Sequence, residues 1–382
     1  MLSAANERRP TWVEVDLKAI ASNVAAIKTL LPPGTRLMAV VKANAYGHGA
    51  VPVAQASLAA GAEWLGVATP AEGWELRQAG IDAPILVLGA AWPFEAEWYL
   101  RGDLRATVTA LDEAEALSEA AARVRGRVLV HVKVDTGMGR LGVPFDRAAE
   151  FVAAISRLPH LEVEGLFSHF ATSDEAELSF AREQLARFNQ ALADLERLHI
   201  PISVRHLANS GAIFNLMPEA AFDMVRLGIS LYGYYPSASV PRRVELRPAL
   251  RWFARAVFVK RVAAGTAISY GSTYRTERET TIVTLPVGYA DGLRRQLSNK
   301  GAMLMHGRRV RIAGRVCMDQ VMLDVGDLPV AAGDKAVIIG EENGERITAD
   351  DIASWLGTIP YEVLTCISPR VPRVYLRGSD ST

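Results

Sequence analysis

The sequence predicts an α/β barrel followed by a mainly β domain. Three observations predict it. Eight short apolar runs alternate with helical patterns from residue 37 to residue 227. Beyond residue 246 the pattern turns to short β segments separated by glycine turns. Polar residues gather at the carboxyl ends of the predicted strands, the face at which barrels carry their chemistry.

Taken in order, residues 11–16 alternate as a strand, and residues 17–31 read as a helix ended by Pro32, Pro33 and Gly34. The predicted strands are 37–41, 63–67, 84–88, 105–109, 128–134, 162–168, 203–207 and 223–227. Helical patterns lie between them, among them 70–79, 111–122, 145–158 and 175–198. Strands alternating with helices argue for a parallel sheet, and eight units argue for closure as a (β/α)8 barrel. A doubly wound open sheet is the alternative, but the first turn lacks a dinucleotide fingerprint. The β segments that follow are 252–262, 280–286, 310–325 and 335–339. One helix interrupts them at 350–356, with Thr348 and Asp351 spaced as a capping box. The expected domains are therefore 1–245, the barrel, and 246–382, the β domain.

Composition excludes several classes of function. Of 382 residues, 50% are hydrophobic and 22% charged, so a large core is available. The formal net charge is zero, which leaves no field to recruit nucleic acid or an anionic membrane. No apolar stretch approaches a membrane span. The first ten residues lack an apolar core, so no secretory signal is expected. The two cysteines, Cys317 and Cys366, make no framework, and the histidines show no metal-ligand spacing. A reducing, cytoplasmic setting follows as an expectation.

Lys42 ends the first apolar run and precedes the breaker-rich stretch Gly47, His48 and Gly49. An amine on a barrel rim shifts its pKa readily when desolvated and can form a Schiff base. In strand five, Val128, Val130, Val132 and Val134 share one face, while His131, Lys133 and Asp135 share the other. One face packs on helices, so the other points into the barrel. After strands seven and eight the loops offer Asn209, Ser210 and Gly211, then Gly228, Ile229 and Ser230. Loops at that position commonly bind phosphate. A phosphate there and an amine on strand one fit a pyridoxal phosphate site, although many barrels hold other phosphates.

Specific blocks sharpen this. MAVVKANAYGHG (38–49), KVDTGMGRLG (133–142), SHFA (168–171), ANSGA (208–212), VRLGISLYG (225–233), SYG (269–271), CMDQ (317–320) and PYEV (360–363) resemble, in order, those of the alanine racemases. The resemblance covers essentially the whole chain and implies a pyridoxal-phosphate-dependent racemase supplying D-alanine for peptidoglycan. It implies that Lys42 carries the cofactor and acts as one base, with Tyr270 of the second subunit of a homodimer as the other. It further implies Arg226 at the pyridine nitrogen with His206 behind it, and Arg140 at the phenolic oxygen. His169 would support Tyr270. Tyr46, Asn209, Ser210, Gly228, Ile229 and Tyr361 would surround the phosphate, and Arg140, Met318 and Asp319 the substrate. Lys133 matches a lysine that some family members carbamylate; an ordinary lysine paired with Asp135 or with a bound anion stands beside that reading.

Two bases on opposite faces are what racemisation requires, because a proton leaves one face of Cα and returns to the other. Alone, each residue has an ordinary reading as well. Tyr270 fits a strand tyrosine packing its ring, His169 a core histidine, Arg140 and Arg226 structural ion-pair partners, and Met318 core filler. Competing functions are a racemase of another small amino acid such as serine, and a barrel-type amino-acid decarboxylase. The decarboxylases set a carboxylate against the pyridine nitrogen, where this chain has Arg226. A non-enzymatic cofactor-binding protein of the same fold consists of the barrel alone, which residues 246–382 argue against.

Overall fold

The computed structural model describes residues 9–377. They divide into two compact units. One comprises Ala19–Ala45 and Ala50–Arg247; the other comprises the described residues before Ala19, Tyr46–Gly49, and the chain from Pro248 onward.

In the first unit eight parallel strands follow one another: β1 (Arg36–Val40), β2 (Trp64–Val67), β3 (Ile85–Ala90), β4 (Leu104–Val108), β5 (Val128–Asp135), β6 (Leu161–Phe167), β7 (Val204–His206) and β8 (Met224–Leu227). Each pairs with the next from β1 to β7, and β8 pairs back onto β1 through Met224↔Arg36 to Leu227↔Ala39. Between β7 and β8 the ring closes through Asp223 N–H to Arg205 O and Arg226 N–H to Ala208 O, both 3.0 Å. These are the eight expected strands, every end within two residues of its expected place. The reason is that strands covered on both faces must be apolar throughout. Leu37, Met38, Ala39 and Val40 are all buried, as are Val128, Val130, Val132 and Val134.

Helices cover the outside: Leu17–Lys28, Ala50–Ala59, Pro70–Gln78, Ala96–Arg101, Leu111–Arg123, Ala148–Ile155, Ser179–Arg197 and Ser210–Asn215. The pattern expected at 145–158 resolves into a 3-10 turn, Phe145–Arg147, and the helix Ala148–Ile155. Thr69 and Glu72 form a capping box at Pro70–Gln78, the Glu72 side chain accepting from Thr69 N–H while Thr69 accepts from Glu72 N–H. Helix Leu17–Lys28 is held by Asn23, which is fully buried. Its Nδ2 donates to Leu231 O (3.0 Å) and Arg247 O (2.9 Å), and its Oδ1 accepts from Arg247 N–H (2.8 Å).

In the second unit a ten-stranded sheet runs in the order Phe258–Val262, Thr280–Leu285, Val321–Gly326, Arg308–Ile312, Ala302–Met305, Lys335–Glu342, Leu250–Arg255, Thr11–Asp16, Arg373–Leu376, with Glu345–Ile347 on Lys335–Glu342. The β pattern at 252–262 is thus two strands, and that at 310–325 two more with a turn between. Thr11–Asp16 pairs antiparallel with Leu250–Arg255 and parallel with Arg373–Leu376, so hydrogen bonding places it in this sheet. The expected helix is Ala349–Leu356, with the Thr348–Asp351 box formed and Gly357 ending it at φ 70°.

Replacing Asn23 by alanine leaves two carbonyls and an amide without their partner inside the first unit. The expected loss is about 3 kcal/mol, from buried polar groups left unsatisfied. Urea unfolding of Asn23→Ala against the parent chain measures it; an unchanged midpoint would contradict the role given to this side chain.

Candidate active site

Strand β1 leads into Lys42, and the chain then makes a turn that L residues seldom make. Ala43, Asn44 and Ala45 lie at φ 52° and Tyr46 at φ 49°, four successive non-glycine residues in the left-handed region. Left-handed helical backbone costs about 1–2 kcal/mol per residue. Three hydrogen bonds oppose that cost. Ala43 N–H donates to Glu72 Oε1 (2.7 Å), Ala45 N–H to Val41 O (2.8 Å), and Ala50 N–H to Asn44 Oδ1 (2.8 Å). The capping-box glutamate of a neighbouring helix therefore also fixes the backbone beside Lys42. Burial, then the Arg140 charge, push the Lys42 amine below its ordinary pKa, with Glu72 opposing them.

Around the same end of the barrel sit Arg226 from β8, His206 from β7, His169 just after β6 and Lys133 from β5. The Arg226 guanidinium is buried and has no carboxylate partner among the described residues. Its Nη1 donates to His206 Nδ1 (2.9 Å) and His206 O (3.2 Å). Its Nη2 donates to Ser168 O (2.7 Å) and Leu207 O (3.0 Å) and meets His169 Nδ1 at 3.1 Å. Burial, reinforced by Arg140, brings its pKa down to about 9. Phe167 is a shared platform: His206 stacks on it at 4.7 Å and 5°, and Lys133 Nζ lies 4.6 Å from its centroid. Burial first, then Arg226 and Arg140, hold the Lys133 amine well below the ordinary lysine value, with Asp135 opposing. His169 and His206 are likewise held neutral by burial and by Arg226.

The loops after β7 and β8 meet through Ser210, whose Oγ accepts from Gly228 N–H at 3.0 Å. Asn209 caps the helix Ser210–Asn215, its Oδ1 accepting from Ala212 N–H (3.1 Å) and from Ser173 Oγ (2.7 Å). A Cβ on Gly211 would come within 2.7 Å of Ser173 Oγ, so only glycine fits that close approach. Ile229 opens the 3-10 turn Ile229–Tyr232 beside Gly228.

The structure thus brings Lys42, Lys133, His169, His206 and Arg226 together, and the Arg140 charge acts on Lys42, Lys133, His169 and Arg226. His169, assigned by resemblance to Tyr270, makes its contact in this unit with Arg226. The remaining expected residues belong to the second unit. Tyr46 and Tyr361 pack with ring centroids 5.9 Å apart, and burial pushes the Tyr46 hydroxyl up to about 12. Tyr270 begins a turn with Gly271 at φ 71° and is 70% exposed; Met318 is also exposed, and Asp319 pairs with Arg370 at 2.7 Å. Sequence reasoning passed over Glu72, which the Thr69–Glu72 spacing could have flagged, and His131, which the inward face of strand five contained.

Comparison with known proteins decides what this arrangement belongs to. A family model described as "Alanine racemase, N-terminal domain" matches residues 15–236, and one described as "Alanine racemase, C-terminal domain" matches residues 249–375. The chain belongs to the alanine racemase family. It is 50% identical over 381 residues to the alanine racemase of Desulfosudis oleivorans, covering 97% of each chain. Among solved structures, alanine racemase of Clostridium difficile 630 superimposes with a TM-score of 0.93 at 39% identity, covering 97% of both chains. That of Bacillus anthracis with bound L-Ala-P gives 0.93 at 40% identity, covering 97% of this chain and 96% of that one. The activity is interconversion of L- and D-alanine, and alanine racemases depend on pyridoxal phosphate. Among the described residues no helix is long and apolar enough to cross a membrane, and no group of three or more His, Cys, Asp or Glu is placed to hold a metal ion.

Burial, above all, depresses His131, His169 and His206, so at mildly acid pH the folded alanine racemase binds fewer protons than the unfolded chain. Unfolded histidine titrates near about 6.5. Stability from these groups is complete above that pH and falls as the pH drops below it. The urea midpoint should be lower at pH 5.5 than at pH 7.5, and a flat profile would speak against three buried neutral imidazoles.

Proposed function

We propose that this alanine racemase works with pyridoxal phosphate on Lys42 and with Lys42 and Tyr270 as its two bases. The observation that carries the reading is the Lys42 amine, pushed toward its neutral form among cations at the carboxyl end of β1. The residues present fit the cofactor. Lys42 supplies an amine for its aldehyde, Ser210 and the Gly228 and Ile229 backbone an anion-binding loop, and Arg226 a fixed guanidinium for the ring. When bound, pyridoxal phosphate supplies an electron sink for the bond that breaks at Cα.

The protein's part is proton handling. A neutral Lys42 can take a proton from one face of Cα and return it, and a base of matched pKa on the other face completes the inversion. Arg226 donates hydrogen bonds and cannot accept a proton while it remains a guanidinium. Facing the ring of a bound cofactor, it would supply no proton to the pyridine nitrogen and so would temper the electron sink. Tyr270 is the matching base in this reading, delivered by a second copy of the chain together with Met318 and Asp319. Its exposure supports that reading, because a phenol open to solvent can be covered by a partner.

Borohydride reduction of the holoenzyme followed by peptide mapping should place the pyridoxyl adduct on Lys42; an adduct on another lysine sinks the assignment. Mixing inactive Lys42→Ala and Tyr270→Ala proteins should restore activity, since a mixed dimer has one site with both bases. No recovery, with subunit exchange shown by mass, means that each site is built within one chain.

A further inference from the structure

Arg226 sits at one end of a hydrogen-bonded line that runs back through the barrel. His206 Nδ1 accepts from Arg226 Nη1 (2.9 Å), and His206 Nε2 lies 2.9 Å from His131 Nδ1. His131 Nε2 in turn lies 3.0 Å from Glu164 Oε2. Arg105 Nε stands 3.4 Å from that same oxygen. Both imidazoles are fully buried.

The two ends dictate every proton between them. A guanidinium only donates, so His206 Nδ1 accepts and a neutral His206 carries its proton on Nε2. That proton points at His131 Nδ1, which must accept. His131 then carries its proton on Nε2 and donates it to the Glu164 carboxylate. The opposite order would leave His206 accepting at both nitrogens, which a neutral ring cannot do.

The backbone is shaped for this line. The β5–β6 register shifts between Val130, opposite Val163, and His131, opposite Gly165, so Glu164 is an extra residue at that point. Such a bulge re-aims a side chain. A Cβ on Gly165 would collide with the His131 ring, so a glycine is needed where the imidazole lies. Trp64 packs against His131 at 5.5 Å, with Arg36 and Arg105 over its own ring at 5.9 and 5.7 Å. Burial alone would raise the Glu164 pKa, yet His131 and Arg105 hold it below the ordinary value, so the end of the line stays anionic.

We propose that Glu164 and His131 are positioning residues for Arg226, and that the line from the carboxylate supplies the counter-charge which the buried guanidinium lacks at the barrel mouth. The proposal rests on the reading above that Arg226 serves the bound cofactor. Each imidazole in the line is polarised by the next, so the His206 nitrogen facing Arg226 becomes a better acceptor. Arg226 keeps its proton and its fork stays aimed.

The test has two arms on the holoenzyme. In protein labelled with 15N-histidine, two-bond proton–nitrogen correlation should show His131 and His206 both protonated at Nε2 and bare at Nδ1, with the signals assigned through His131→Phe. A proton on Nδ1 of either ring, or a doubly protonated ring, overturns the proposal. In the second arm, Glu164→Gln keeps an accepting oxygen and removes the charge. It should lower kcat about tenfold with KM for L-alanine nearly unchanged, the loss of one charge-assisted hydrogen bond. In an Arg226→Lys background the same change should have no further effect, because the line has lost its upper end. An equal effect in both backgrounds means that Glu164 acts elsewhere and overturns the proposal. Wild-type kinetics in Arg226→Lys alone would remove the role of Arg226 and this proposal with it; the tautomer arm tells the two failures apart. Should Glu164→Gln fail to fold, the tautomers of the unsubstituted enzyme still decide.

Discussion

Positive charge held out of water is the constraint on which the barrel mouth depends. Lys42, Lys133 and Arg226 are desolvated together, the Arg140 charge bears on each, and the opposing carboxylates that act on them, Glu72 and Asp135, are few. An unpaired buried cation is expensive, and burial accordingly lowers the pKa of both amines. Guanidinium cannot escape so easily, which is why Arg226 collects three carbonyls and two imidazoles instead. The same imbalance would serve both halves of the proposed chemistry: a lysine shifted toward its neutral form, and a mouth that attracts an anionic phosphate and a carboxylate substrate.

The backbone beside Lys42 carries the cost of aiming that lysine. Four left-handed residues sum to several kcal/mol of local strain on the usual scale. Such strain persists where the surroundings over-determine it. Glu72 does so with one carboxylate, one oxygen on Ala43 N–H and the other on Ala68 N–H, each at 2.7 Å. The helix cap and the turn after Lys42 are therefore one device, and loss of the cap would loosen the turn.

Much of this was legible in the sequence. Apolar runs at regular spacing marked all eight barrel strands, because strands buried on both faces admit little else. Lys42 and Arg226 lie within family blocks, His206 came only through the resemblance, and the valine alternation of β5 placed Lys133 inside the barrel. What stayed hidden was long-range. The pairing of Thr11–Asp16 with Leu250–Arg255 spans residues far apart in the chain, and nothing local announces it. The left-handed run after Lys42 uses two alanines, an asparagine and a tyrosine where a reader looks for glycine. His131 and Glu164 become meaningful only once a register shift sets one against the other.

Binding and folding are coupled through the same charge. A ligand that binds the folded chain alone stabilises it by an amount set by its concentration over its dissociation constant. An anion bound at this mouth would do more than add contacts, because it would also relieve repulsion among Lys42, Lys133, Arg140 and Arg226. Burial first, and then that repulsion, lowers the pKa of both amines, and a bound anion would act in the opposite sense. Lysine basicity at this mouth is therefore a property of the occupied site as a whole. The fixed point is Arg226, whose three carbonyl and two imidazole partners hold its fork in place without a carboxylate in contact.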